Sequence, residues 1–228
     1  MQQRIVVLTG AGMSAESGIK TFRDNDGLWN NYRVEEVATP EAWDANMELV
    51  LEFYNQRRKQ LLECSPNPAH FALVQLEDKY DVRIITQNVD DLHERAGSSN
   101  VLHLHGELKK VRSTADPQLV FELDGWELKV RDTCPRGSQL RPHIVWFGEA
   151  VPNITIASEI AATANILIVI GTSMQVYPAA GLVHYAPRES TKYYIDPAAA
   201  DNSMLAKLTV IREKAGKAVP ELVKVLLR

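Results

Sequence analysis

Only two cysteines, Cys64 and Cys134, occur in 228 residues. They lie far apart and match no disulfide framework, so a reducing compartment is expected. A basic excess is also missing: 25 Lys+Arg stand against 29 Asp+Glu, a net charge of −4. The chain therefore carries no electrostatic footprint for nucleic acid and no basic run for an anionic membrane surface. No apolar stretch reaches membrane-spanning length. The run at residues 5–8 is too short for a signal peptide, so a cytoplasmic protein is expected. Internal repeats and low-complexity tracts are lacking too. What is present, 45% hydrophobic residues in 228, suffices for one large domain, alone or with a smaller lobe.

Three short runs at 5–8, 82–86 and 166–170 are nearly all apolar and rich in Val and Ile. Such runs suit strands covered on both faces, as in a parallel α/β sheet. Residues 192–195 and 208–211 are two further candidates. Helical patterns lie between: 153–164 after Pro152, and 215–227 with Val219, Leu222, Val223, Leu226 and Leu227 on one face. Strands alternating with helices predict an α/β fold, a doubly wound parallel, Rossmann-like sheet. Two stretches break the alternation. Residues 25–78 read as a loop followed by helices, one starting at Thr39-Pro40-Glu41 and a long amphipathic one over 47–63; residues 109–142 are rich in turn formers and charge. These insertions are expected to build a second, smaller lobe beside a domain made of 1–24, 79–108 and 143–228, with a ligand cleft between.

The first strand runs into Gly10-Ala11-Gly12-Met13-Ser14-Ala15-Glu16-Ser17-Gly18, a G-x-G-x-x-A loop. Glycines there let a backbone approach a pyrophosphate, and the next helix offers N–H groups. An ordinary dehydrogenase is disfavoured, because its second strand follows within a ~30-residue βαβ unit and ends in a ribose-binding acid. Here the second strand waits until Val82.

Further motifs follow in order: Ser17-Gly18-Ile19 and Phe22-Arg23; Thr86-Gln87-Asn88-Val89-Asp90 with Leu92-His93; Leu104-His105-Gly106; Leu140-Arg141-Pro142 with Val145-Trp146-Phe147-Gly148-Glu149; and Gly171-Thr172-Ser173 with Val176 and Pro178. Together with the glycine loop, this series closely resembles the sirtuin family over nearly the whole chain. The resemblance implies an NAD-dependent protein-lysine deacylase that releases nicotinamide and O-acyl-ADP-ribose, with acyl-lysine proteins or peptides as partners. Nucleic acid and membrane are not expected as partners.

The resemblance also implies roles. His105 becomes the base that activates a ribose hydroxyl, which suits a side chain whose pKa lies near working pH. His103 has the same residue type two positions away, and only the family match separates the two. His93 is read as structural. Asn88, also assigned to catalysis, and Asp90 serve the nicotinamide end, with Gln87 supporting the ribose. Gly10, Ala11, Gly12, Ser14 and Ala15 cradle phosphate, Arg23 contacts phosphate or the leaving-group site, and Phe22 walls off nicotinamide. Gly171, Thr172 and Ser173 complete the dinucleotide site, with Ala215 near the adenine. Asp196 stands where the family usually has Asn. The peptide is expected to add as a strand between Phe147-Gly148-Glu149 and Gln175-Val176-Tyr177, with Val145 and Phe147 lining the acyl-lysine tunnel.

Two departures sharpen the expectation. Relatives usually carry two C-x-x-C pairs that bind zinc. Here Ser113-Thr114-Ala115-Asp116 has no cysteine and Cys134-Pro135-Arg136-Gly137 has one, so no zinc is expected. Packing around Leu119, Phe121, Leu123, Trp126 and Leu128 is expected instead, with a hairpin about Asp124-Gly125. Tyr54 and Arg57, three residues apart on one helical face, form a receptor for a carboxylate. The desuccinylating branch carries such a pair, together with a small residue at the position of Ala38. Acidic acyl groups such as succinyl or malonyl are therefore expected over acetyl. The plainer alternative makes Arg57 one of three solvated charges with Arg58 and Lys59. Two other activities remain open on sequence alone: a mono-ADP-ribosyltransferase and a non-enzymatic NAD or ADP-ribose binding module.

Overall fold

The computed structural model describes residues 2–19, 32–200 and 205–228. Phe22 and Arg23 lie outside them. In chain order, β1 (Arg4–Thr9) is followed by α1 (Val34–Val37), α2 (Pro40–Ala45), α3 (Met47–Glu63) and α4 (Pro68–Gln75). Then come β2 (Asp81–Thr86), α5 (Leu92–Ala96), β3 (Val101–His103), β4 (Gly106–Ser113), β5 (Val120–Glu122) and β6 (Leu140–Ile144). The chain closes with α6 (Ile154–Ala161), β7 (Ile166–Ile170), β8 (Thr191–Ile195), β9 (Leu208–Ile211) and α7 (Ala215–Leu227).

Six strands form a parallel sheet in the order β3-β2-β1-β7-β8-β9. The chain starts in the middle, fills one edge, then returns beside β1 and fills the other. This is the doubly wound order, with its switch point between β1 and β7, where Thr9 stands opposite Ile170. The apolar runs follow from burial on both faces. Ile5, Val7, Val82, Ile84, Ile168 and Ile170 point into one core with α4 and α7; Val6, Leu8, Ile85, Leu167 and Val169 point into the other.

The second sheet is antiparallel, in the order β5-β4-β6. With α1, α2 and α3 it encloses a separate core that includes Val50, Tyr54, Leu61, Leu108, Leu128 and Trp146. α3 starts at an Asn46 cap, whose Oδ1 accepts from Leu49 N–H at 3.0 Å. Its inward stripe includes Arg57 and Arg58, 6% and 2% exposed, so both are core residues and not solvated charges. α4 belongs elsewhere. The sequence puts residues 68–78 in the smaller lobe, but Ala69, Leu73 and Leu76 pack into the core of β1, β2 and α7.

The expected hairpin about Asp124-Gly125 does not form. The chain turns there, but no strand forms between Gly125 and Leu140; β5 pairs with β4 across the turn at 114–119. The reason is a stronger use for Leu128. The Asn55 side chain acts as a strand partner, donating to Leu128 C=O at 3.0 Å and accepting its N–H at 2.9 Å. Arg58 adds bonds to Leu108 C=O at 2.6 Å and Asn55 Oδ1 at 2.8 Å. Leu128 is buried, Phe121 and Leu123 pack partly, and Leu119 and Trp126 stay half-exposed.

The two segments compared with zinc-binding pairs do lie together. Ser113 Oγ sits 2.6 Å from Ser138 Oγ, which is 3.0 Å from Cys134 Sγ. Ser113 Oγ also accepts from Ala115 and Asp116 N–H, both at 3.1 Å. One thiol among hydroxyls does not fit a tetrahedral zinc site. Among the described residues no cluster of His, Cys, Asp or Glu is placed to hold a metal ion.

Candidate active site

The site lies where the C-terminal ends of β1, β2 and β7 meet, beside the switch point. The glycine loop leaves β1 and folds back on the turn after β7. Gly12 N–H donates to Gly171 C=O at 2.8 Å, and a Cβ on Gly171, at φ +62°, would lie 2.3 Å from Met13 N. Two backbones in contact therefore require glycine here, before any ligand is considered. The loop also reaches α7: Glu16 accepts from Gly216 N–H at 2.7 Å, next to the buried Ala215 that opens the helix. Ala11 is half-buried and Ala15 exposed on the loop's surface.

The end of β2 supplies most of the chemistry. Gln87 N–H extends the sheet onto Thr9 C=O at 2.9 Å, and its side chain donates to Thr172 Oγ1 at 3.2 Å. Thr172 is buried and Ser173 half-exposed. Asn88 Nδ2 donates to Ser14 Oγ at 3.1 Å, and the Ser14 hydroxyl donates to the Asp90 carboxylate. All three residues are at most 8% exposed. Burial pushes the Asp90 carboxyl up, while the Ser14 hydroxyl and Leu92 N–H work against that shift. Asp196, at the end of β8, is buried and caps its own turn by accepting from Ala198 N–H at 2.8 Å.

The two histidines that sequence left alike differ in surroundings. β3 ends at His103, and the chain bends before His105. His105 Nδ1 lies 3.1 Å from Gln87 C=O, an acceptor, so Nδ1 carries the proton and neutral Nε2 is the basic nitrogen. Burial lowers its pKa below the ordinary histidine value, with the Gln87 carbonyl opposing. Gly106, at φ +81°, follows because a Cβ there would lie 2.0 Å from His143 O. His93 is buried, with Nε2 3.2 Å from Thr9 Oγ1 and its ring 4.9 Å from that of His70, in keeping with a structural role.

The loop over 145–149 docks on this histidine: Val145, half-buried, donates its N–H to His105 C=O at 2.9 Å. Phe147 is 45% exposed, but its N–H already donates to Ala38 C=O at 3.0 Å, so that group is not spare for a peptide. Gly148 turns the chain at φ +89°. Glu149 faces inward. Its carboxylate takes two bonds from Arg141, at 2.8 and 3.1 Å, one Arg112 nitrogen at 3.2 Å from both oxygens, and Trp146 N–H at 2.8 Å. It holds the loop. Val176 and Tyr177 are exposed, at 43% and 73%.

Arg141 and Trp146 stand in a sequence motif, but sequence alone assigned neither a role. The Arg141 guanidinium stacks 3.3 Å from the Trp146 ring centroid, and the indole N–H donates to Tyr54 Oη at 3.0 Å. Indole only donates, so the Tyr54 hydroxyl keeps its own hydrogen for another acceptor. Beside it, burial pulls Arg57 down to about 10, against the influence of Tyr54 and Asp90. Arg57 therefore stays a cation at neutral pH.

A dinucleotide fits this donor set. A buried hydroxyl, amide and carboxylate, hydrogen-bonded in series, stand at the strand ends beside the switch point, where such folds bind ligands, next to a histidine with its basic nitrogen uncommitted to the Gln87 contact.

Comparison with known proteins agrees. The Sir2 family pattern matches residues 10–178. An NAD-dependent protein deacylase of Bacteroides thetaiotaomicron is 54% identical, covering 99% of this chain and 98% of that protein. One of Helicobacter pylori, with the same name, is also 54% identical at the same coverage. A solved Sir2 homolog–NAD complex superposes with a TM-score of 0.88 at 43% identity, covering 99% of this chain and 90% of that one. With the family pattern matched over residues 10–178 and relatives 54% identical over nearly the whole chain, the chain belongs to the Sir2 family.

Proposed function

We propose that the chain is an NAD-dependent protein-lysine deacylase with a preference for acidic acyl groups. The observation that carries the reaction is the hydrogen-bonded series of Ser14, Asn88 and Asp90 at the strand ends, with His105 anchored on the adjacent Gln87. Its relatives in Bacteroides thetaiotaomicron and Helicobacter pylori, named NAD-dependent protein deacylases, support the same activity. NAD, when bound, supplies the ribose that accepts the acyl group as nicotinamide departs. Gly10, Ala11, Gly12, Ser14, Ala15, Gly171, Thr172 and Ser173 would hold its phosphates and riboses, Asn88 and Asp90 its nicotinamide end, and Gln87, Asp196 and Ala215 the remainder. His105 Nε2 would take a hydroxyl proton, its Nδ1–H anchored on Gln87. No zinc is assigned to the smaller lobe.

Tyr54 and Arg57 support the acyl preference: a phenolic hydrogen and a cation, both buried in the smaller lobe, Tyr54 in one core with Ala38 and Trp146. Val145, Phe147, Gly148, Glu149 and Val176 frame the entrance, Glu149 by holding the loop. Steady-state kinetics on succinyl- and acetyl-lysine peptides test this. The wild type is expected to favour succinyl. Arg57→Met should raise KM for succinyl-lysine by the loss of a charge-assisted bond, about 1.5–3 kcal/mol, and spare acetyl-lysine. Equal losses on both would make Arg57 structural.

A further inference from the structure

His105 commits one ring nitrogen to the protein; His103 commits both. Its Nδ1 lies 3.0 Å from Asn88 C=O and its Nε2 2.8 Å from Glu94 Oε1, with the residue 8% exposed. A carbonyl and a carboxylate both accept, so each ring nitrogen needs a hydrogen, and only the imidazolium has two. From the other side, Asn88 N–H donates to Thr86 Oγ1 at 3.0 Å. The Asn88 backbone is thus gripped at both polar groups, and that grip directs its side-chain amide to Ser14.

We propose that His103 is a charged positioning residue: anchored by Glu94, it fixes Asn88 toward the Ser14–Asp90 crevice, and losing its proton lowers turnover on the alkaline side. The inference rests on reading Asn88 as part of the NAD site. The groups facing His103 are Glu94 and His93 on α5, Asp90 in the loop before it, and Glu107 on β4, itself paired with Lys110 at 2.8 Å. Asn153, at the head of α6, meets only the His103 backbone, donating to its carbonyl at 2.9 Å. Burial disfavours the charge, but the Glu94 carboxylate, then Glu107 and the Asn88 carbonyl, outweigh it and raise the pKa above the ordinary histidine value. Protonated His103 therefore persists to higher pH than an ordinary imidazole and is lost as pH rises further.

The test is the pH dependence of kcat and of KM for NAD in the wild type, Glu94→Gln and His103→Gln. The wild type should show an alkaline limb in kcat. Glu94→Gln removes the anchoring charge and should move that limb toward lower pH by about one unit. His103→Gln keeps one donor for Asn88 but cannot ionise there; it should lose the limb and run about tenfold slower at neutral pH. An alkaline limb that stays put in Glu94→Gln, or persists in His103→Gln, overturns the proposal. Should His103→Gln fail to fold, the Glu94→Gln shift decides alone. Asn88→Ala with wild-type NAD affinity and turnover would instead remove the reading of Asn88 beneath it.

Discussion

A histidine's chemistry is decided by which nitrogen its neighbours occupy. At His105 the Gln87 carbonyl fixes the Nδ1 proton, leaving Nε2 as a base, and burial lowers the pKa. A base works deprotonated, so activity should be present above that lowered pKa and fall as pH drops through it. The acidic limb of kcat/KM should therefore lie below the usual histidine value. His105→Ala should cost ~10²–10⁴-fold in turnover, as general-base losses do, while calorimetry shows NAD binding largely kept. Near wild-type turnover in that variant would place the base elsewhere. Sequence singled out His105 only through its motif; what distinguishes it from His103 is the set of acceptors around each ring, which no spacing encodes. The role of Trp146 was hidden for the same reason, since its partner Tyr54 is 92 residues away.

Elements with self-contained signals were legible. The apolar run at 166–170 and the amphipathic patterns at 47–63 and 215–227 match β7, α3 and α7 residue for residue. β4 was hidden because its pairing with β6 shifts register between Gly106 and Val111, which puts the buried Leu108 and Val111 three apart and spoils the two-residue alternation. α4 was misplaced because its partner, α7, comes some 140 residues later. In the smaller lobe, the link between α3 and the 126–128 segment rests on Asn55 and Arg58. Asn55→Ala would leave Leu128 N–H and C=O buried and unpaired, and should destabilise the protein by roughly 2–3 kcal/mol in urea melts. Gln56→Ala, on the exposed face, should stay within about 0.5 kcal/mol. Equal midpoints for the two variants would contradict the assigned role.

At the scale of the molecule, the doubly wound order brings the ends of β1, β2 and β7 together, and the crevice there joins the two sheets' chemistry. The same packing buries His70 and His93 as neutral rings beneath the glycine loop. His70 Nδ1 accepts from Asn67 N–H at 3.2 Å, so protonating it would break the cap of α4. Burial lowers His70 from 6.5 to about 4. A group depressed in the folded state stabilises above its unfolded pKa and loses that contribution as pH falls toward the folded one. Stability should drop between about pH 6.5 and about 4, by roughly 3 kcal/mol from His70. His103, raised in the folded state, has the opposite sign and acts as pH rises. Thermal midpoints against pH should fall less steeply in His70→Asn than in the wild type; parallel curves would assign the drop to other groups. The most direct test of the whole account is mass spectrometry of both products after incubation with NAD and a succinyl-lysine peptide. Deacylated peptide, nicotinamide and succinyl-ADP-ribose in equal amounts are expected; a peptide that keeps its acyl group and gains ADP-ribose would contradict the account.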